Sequence, residues 1–263
     1  MNWSENQLIK KIISASLCVI ILFCSFSRLI NPNDTIKIMF IGNSLTYVPQ
    51  IPEQLKLIAT SKNKKIVCQS KCEGDYTLEN HWNEMSPDFF LENKFDYVVL
   101  QEHGLPPVAD IDNFFKYAKL FNDKIKESGA KTILYITSRS ANEEGVAVQE
   151  RQSDLTTAYE TAAKQTGALL APSGPSWIVA NEENPTLKFY QDDNLHPNML
   201  GGYLTACVLY SVIFNESPLG ADSKIIRINL SAFGKNKETI LKYLQNTAWE
   251  TTENYKPLKY TVK

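Results

Sequence analysis

Histidine is scarce in this chain of 263 residues, with only His81, His103 and His196. No two of them stand at a metal-ligand spacing, and Glu102 with His103 has nothing nearby to complete a set, so no metal is expected. An excess of one charge is also missing. The formal net charge is −2, which argues against a nucleic-acid partner. There are no low-complexity tracts or solenoid-period repeats, and 12 Tyr, 12 Phe and 4 Trp are too many for a disordered chain. Cysteine is sparse too: Cys18 and Cys24 lie in an N-terminal apolar run, leaving Cys68, Cys72 and Cys207. If "KIVCQSKC" is extended, Cys68 and Cys72 lie about 13 Å apart at ~3.3 Å per residue, too far for a disulfide. They are expected to be buried thiols unless the strand ends early and turns back.

One segment stands apart from the rest. Lys10 and Lys11 precede "IISASLCVIILFCSFS", sixteen uncharged residues, and Arg28 follows. A basic n-region before an apolar h-region predicts an export signal over residues 1–30, with Ser25 and Ser27 as small residues at a cleavage site. The run falls between an h-region and the roughly 20 residues of a comfortable span, so an uncleaved membrane anchor is the alternative. The protein is then exported, periplasmic or extracellular, and meets a membrane only through this segment. The polar "NPNDT" separates it from residues 35–263, and 43% hydrophobic content is enough for one core there.

From Thr35 onward, short runs rich in β-branched and aromatic residues alternate with helical patterns. "TIKIMFIG", "KIVCQS", "FDYVVLQE", "KTILYITS" and "GALLAP" read as five strands. Leu55, Ile58 and Ala59 have helical spacing, as do Ile111, Phe114, Phe115, Ala118, Phe121 and Ile125, with Gly129 as a stop. Further helices are predicted over 149–165 and, packed on the outside of the domain, about 237–247. Alternating strand and helix predicts an α/β protein with a parallel sheet covered on both faces.

In such sheets the chemistry gathers at the carboxyl ends of the strands. Those ends carry Gly42, Asn43, Ser44 and Leu45; Glu73, Gly74 and Asp75; Gln101, Glu102 and His103; and Ser138, Arg139 and Ser140. "QDDNLHPNMLGGYLTA" follows, with Asp193 and His196 three residues apart. A serine hydroxyl needs a base to become a nucleophile, usually an imidazole oriented by a carboxylate. One turn can hold Asp193 against His196. Ser44 would follow the first strand at a helix start, where backbone N–H groups favour developing negative charge. The three form a candidate triad.

These residues resemble the SGNH (GDSL-type) hydrolases. "GNSL" is similar to the first block, which carries the nucleophile, "EGDYTL" to the second, and "DNLHP" to the last, Asp-x-x-His-Pro. The resemblance covers about residues 35–215. It implies a three-layer α/β/α flavodoxin-like fold and ester hydrolysis with no metal and no cofactor. It also implies Ser44, His196 and Asp193 as catalytic residues, and Ser44 and Gly74 N–H groups in an oxyanion hole. Two positions depart from the family pattern. Asn43 stands where Asp is usual, and "LQEHG" replaces the third block, Gly-x-Asn-Asp, whose Asn donates to the oxyanion. Gln101 carries the same amide and is assigned that role ahead of His103.

Each assignment has a plainer reading. Ser44 could cap a helix, Gly74 could supply a positive φ in a turn, His81 could be a helix residue without function, and Arg139 could be solvated. Trp82 and Trp177 would suit stacking on sugar rings or could belong to the core. The expected substrate is a small-molecule or polysaccharide ester with a short acyl group, acetyl on carbohydrate above others. The alternatives are a non-catalytic carbohydrate-binding relative and a lipase or thioesterase for longer chains.

Overall fold

The computed structural model describes residues 35–104, 106–138, 148–222 and 236–256. The expected export segment, Arg139 and Ser140 lie outside the described residues. Five strands form one parallel sheet: β1 (Ile36–Gly42), β2 (Ile66–Cys72), β3 (Tyr97–Leu100), β4 (Lys131–Tyr135) and β5 (Leu169–Ala171). Their spatial order is β2-β1-β3-β4-β5. Ten helices are described: α1 (Ser44–Tyr47), α2 (Ile51–Ser61), α3 (Leu78–Glu84), α4 (Phe89–Asn93), α5 (Pro106–Ala109), α6 (Ile111–Glu127), α7 (Val148–Thr166), α8 (Ser173–Glu183), α9 (Met199–Phe214) and α10 (Lys237–Tyr255).

The central strand explains the layering. In β1 every residue but Lys37 is buried, as a strand covered on both faces requires. Ile36, Ile38 and Phe40 join a core with α2, α8, α9 and α10. Met39 and Ile41, one pleat out of phase, join a second core with α3, α4, α6 and α7. The result is the expected α/β/α sandwich. β2 lies at an edge, where Gln69, Ser70 and Lys71 keep its second half polar. Cys68 and Cys72 both lie in that strand as free thiols, half-buried rather than buried, and desolvation pushes each up to about 12.

Two helices differ from their patterns in part. In α6, Phe114, Ala118, Phe121 and Ile125 are buried and Gly129 ends the helix at φ +83°, but Ile111 in the first turn is exposed. α10 runs eight residues beyond the predicted end and is not an outer appendage. Leu241, Leu244 and Ala248 enter the first core, and Gln245 donates to the Tyr203 hydroxyl of α9 at 2.7 Å. Its exit residues are mostly Thr, Asn and Glu, so the apolar period that marks its first half fades before the helix does.

Candidate active site

The turn after β1 is built around one buried amide. Gln101, at the end of β3, is 1% exposed. Its Oε1 accepts the Asn43 N–H and the Thr46 hydroxyl, both at 2.8 Å. Its Nε2 donates to Asn43 Oδ1 at 2.9 Å and to the Glu102 carbonyl at 2.6 Å. Position 42 must be glycine, because a Cβ there would lie 2.4 Å from Gln101 Oε1. Asn43 caps α1: its Oδ1 accepts the Leu45 N–H at 3.1 Å, and its Nδ2 donates to the Tyr76 carbonyl at 2.9 Å. Ser44 is thereby held at the first position of α1, where its own N–H has no intrahelical acceptor.

The second half of the site arrives on a short loop before α9. Asp193 Oδ1 accepts the N–H groups of Leu195 and His196, both at 2.9 Å, which fixes the carboxylate. Its Oδ2 meets His196 Nδ1 at 2.6 Å. His196 Nε2 lies 2.9 Å from Ser44 Oγ. Hydrogen bonding from His196 and the two amides lowers the Asp193 carboxyl to about 2. It therefore stays ionised at neutral pH and keeps the imidazole in the Nδ1–H form, leaving Nε2 to accept from serine.

Packing brings these halves together across 152 residues of sequence. The loop is closed by a bridge between Tyr190 and Pro197 and by the Gln191 N–H donating to the His196 carbonyl at 2.8 Å. Asn198 caps α9 through Leu200 and Gly201, and its Nδ2 donates to the Lys188 and Tyr190 carbonyls. A Cβ on Gly202 would lie 2.6 Å from the Pro49 carbonyl oxygen, and one on Gly201 would lie 2.5 Å from Trp177. Gly202 lets α9 approach the segment that follows the Ser44 turn, and Gly201 lets it seat against Trp177 of α8. Gln54 reinforces the contact by donating to the Pro49 and Met199 carbonyls.

The structure thus unites Ser44, Asp193 and His196, and brings Gln101 beside them in a different capacity. Both amide protons of Gln101 are engaged within the protein, so it braces the serine turn and has none to offer an oxyanion. Gly74 is exposed in a turn closed by the Tyr76 N–H on the Glu73 carbonyl at 3.3 Å. The positive φ in that turn, 60°, belongs to Asp75 and not to Gly74. His103 is half-buried, and its N–H donates to Glu102 Oε1 at 2.6 Å.

Glu102 and His81 gain roles that the sequence did not assign. Glu102 is 2% exposed and accepts the first N–H of α3, from Leu78, so its carboxylate ties β3 to the segment that carries Gly74. Burial pushes it up to about 7 against those hydrogen bonds. His81 is fully buried, with Nε2 at 2.7 Å from the Gly42 carbonyl. That bond requires Nε2–H, and desolvation lowers its pKa, so it is a neutral brace behind the serine turn. The one available signal was its place in α3 just after the second block. The tryptophans, by contrast, both pack on the cores, Trp177 wholly and Trp82 in part. Trp177 is 2% exposed against Phe189 and Tyr190, and Trp82 packs edge-on to Phe121 in the second core. Among the described residues no group of His, Cys, Asp and Glu is arranged to hold a metal.

No family model matches the chain, and no curated protein does. Solved structures do. A DUF4886 family protein from Bacteroides uniformis superposes with a TM-score of 0.67 at 18% identity, over 87% of this chain and 98% of its own. A protein from Slackia heliotrinireducens assigned to the SGNH hydrolases gives 0.59 at 23% identity, over 68% of this chain and all of its own. An acetyl xylan esterase gives 0.56 at 19% identity, again over 68% of this chain and all of its own. At such identities the likeness is one of fold: five parallel strands flanked by helices, as in the SGNH hydrolases and esterases.

Proposed function

We propose that this chain is a serine esterase that removes short acyl groups, acetyl above others, from carbohydrate. The observation that carries the reading is the continuous relay of Ser44 Oγ, His196 Nε2 and Nδ1, and Asp193 Oδ2, with its spacings of 2.9 and 2.6 Å. Ser44 Oγ attacks the ester carbon as His196 takes its proton. The tetrahedral intermediate collapses, the C–O bond to the alcohol breaks, and His196 returns the proton to the leaving alkoxide. Water, deprotonated by the same imidazole, then releases the acid and restores the serine. Asp193 supports the imidazolium at each stage.

The relay also favours turnover over the binding-only alternative. The site lies at the surface, with the side chains of His196 and Asp193 28% and 45% exposed, so a bulky alcohol can approach. An acetyl xylan esterase and an acetyl-xylooligosaccharide esterase are among the proteins of this fold. A second reading, longer acyl chains, draws on the exposed Tyr47 and Leu195 beside Ser44 and His196. A p-nitrophenyl ester series from acetate to palmitate separates the readings. Turnover should be greatest with acetate and fall with chain length. A maximum at long chains would favour the second reading, and no turnover of any ester would overturn both.

A further inference from the structure

We propose that Tyr47 is a catalytic residue of this site, its phenolic hydroxyl donating to the oxyanion in the place that the Gln101 amide does not fill. The proposal rests on the esterase reading above. That reading requires donors at the position where the carbonyl oxygen becomes an oxyanion, and the usual set combines backbone N–H groups with one side-chain donor. Here the buried amide nearest the serine is spent on Asn43 and on the Glu102 carbonyl. A side-chain donor, if the site uses one, comes from elsewhere.

Tyr47 is placed to do so. It follows Ser44 by three residues in α1, so the two side chains leave the same face of the helix. Its hydroxyl lies against Gly74, since a Cβ built on that glycine would be 3.5 Å from the phenolic oxygen. The Gly74 N–H springs from the same Cα. Among the described residues the Tyr47 hydroxyl makes no hydrogen bond, and neither does the N–H of Ser44 or of Gly74. Nearby phenols are committed elsewhere: Tyr76 donates to Glu84 at 2.8 Å, and Tyr190 is bonded to Ser138. Tyr47 is also 45% exposed, so its hydroxyl is open to a substrate. Three uncommitted donors are therefore carried by Ser44, by Tyr47 three residues on in the same helix, and by the Gly74 segment against that phenol, two from the backbone and one from a side chain. A phenol with two rotatable side-chain bonds is oriented at little entropic cost.

The test uses the full-length protein and Tyr47→Phe, which deletes one oxygen from an exposed, unpartnered ring. With p-nitrophenyl acetate, kcat should fall by about 10²-fold while KM stays within about threefold. The melting temperature should not move. An alkylboronic acid, which forms a tetrahedral adduct on the serine, should lose affinity by a factor similar to the fall in kcat. A variant that keeps kcat within about threefold of wild type overturns the proposal. It is also overturned if Tyr47→Phe is silent while Tyr47→Ala raises KM, because the ring is then a platform for substrate and not a donor. Failure of the esterase reading itself looks different: the wild type turns over no ester, and a fluorophosphonate leaves Ser44 unlabelled.

Discussion

Replacing Asn43 with aspartate, the residue usual in the SGNH first block, would place a carboxylate where this structure requires an amide. Asn43 is 1% exposed, and its Nδ2 donates to the Tyr76 carbonyl at 2.9 Å. In Asn43→Asp that donor becomes an oxygen facing an oxygen. If the carboxylate stays ionised, the Leu45 and Gln101 donors still reach one oxygen, but the other is buried opposite the carbonyl. Leaving a buried acceptor unsatisfied costs about 1–3 kcal/mol, and more for a charge. If the carboxyl protonates, it can donate to Tyr76, but holding it neutral at pH 7 against an ordinary value near 3.9 costs about 4 kcal/mol. The cheaper route applies, so the expected loss is about 2–4 kcal/mol.

For a domain of this size, a loss of that order lowers the melting temperature by roughly 5–15 °C. Its sign with pH follows from linkage. The folded state raises this carboxyl above its unfolded value, so the penalty is full above the folded pKa and fades as pH falls toward about 4. Paired thermal melts of wild type and Asn43→Asp at pH 7 and pH 4.5 read this directly. Equal melting temperatures at pH 7, or a deficit of the same size at both pH values, would refute the reasoning from Tyr76.

Gln101→Ala should strip the acceptor from the Asn43 N–H and the Thr46 hydroxyl and open space over Gly42, costing about 2–4 kcal/mol. Activity and melting temperature should then fall together; a 10²-fold loss of kcat at unchanged stability would instead return Gln101 to the oxyanion hole. Ser44→Ala and His196→Ala should each remove most activity, with the double variant scarcely worse than either, as for groups acting as one unit. Multiplicative losses in single-turnover assays would separate the two.

Several features of the fold were legible because they depend on local pattern. The strands announced themselves as runs of β-branched and aromatic residues, and α6 by the period of Phe114, Ala118, Phe121 and Ile125. The second half of α10 was not legible, because its buried contacts after Ala248 are made by Thr251 and Thr252. Trp177 was ambiguous for a related reason. A large aromatic side chain has the same letter in a core and on a binding face, and only the packing of Phe189, Tyr190 and Gly201 around it shows which applies.

By itself the sequence determined the parallel sheet and the identity of the candidate relay. Ser44 follows a strand, and Asp193 and His196 share one turn, so the relations that matter are short in sequence. Whether the two halves meet was decided by the glycine pair of α9 against Pro49 and Trp177, a contact between distant segments. The division of labour among the amides was also tertiary. Gln101 and Asn43 are 58 residues apart, and which of their polar atoms remain available depends on what burial forces each to satisfy. A side chain's chemistry can be read from its letter, but its unspent hydrogen bonds can be counted only once its neighbours are known.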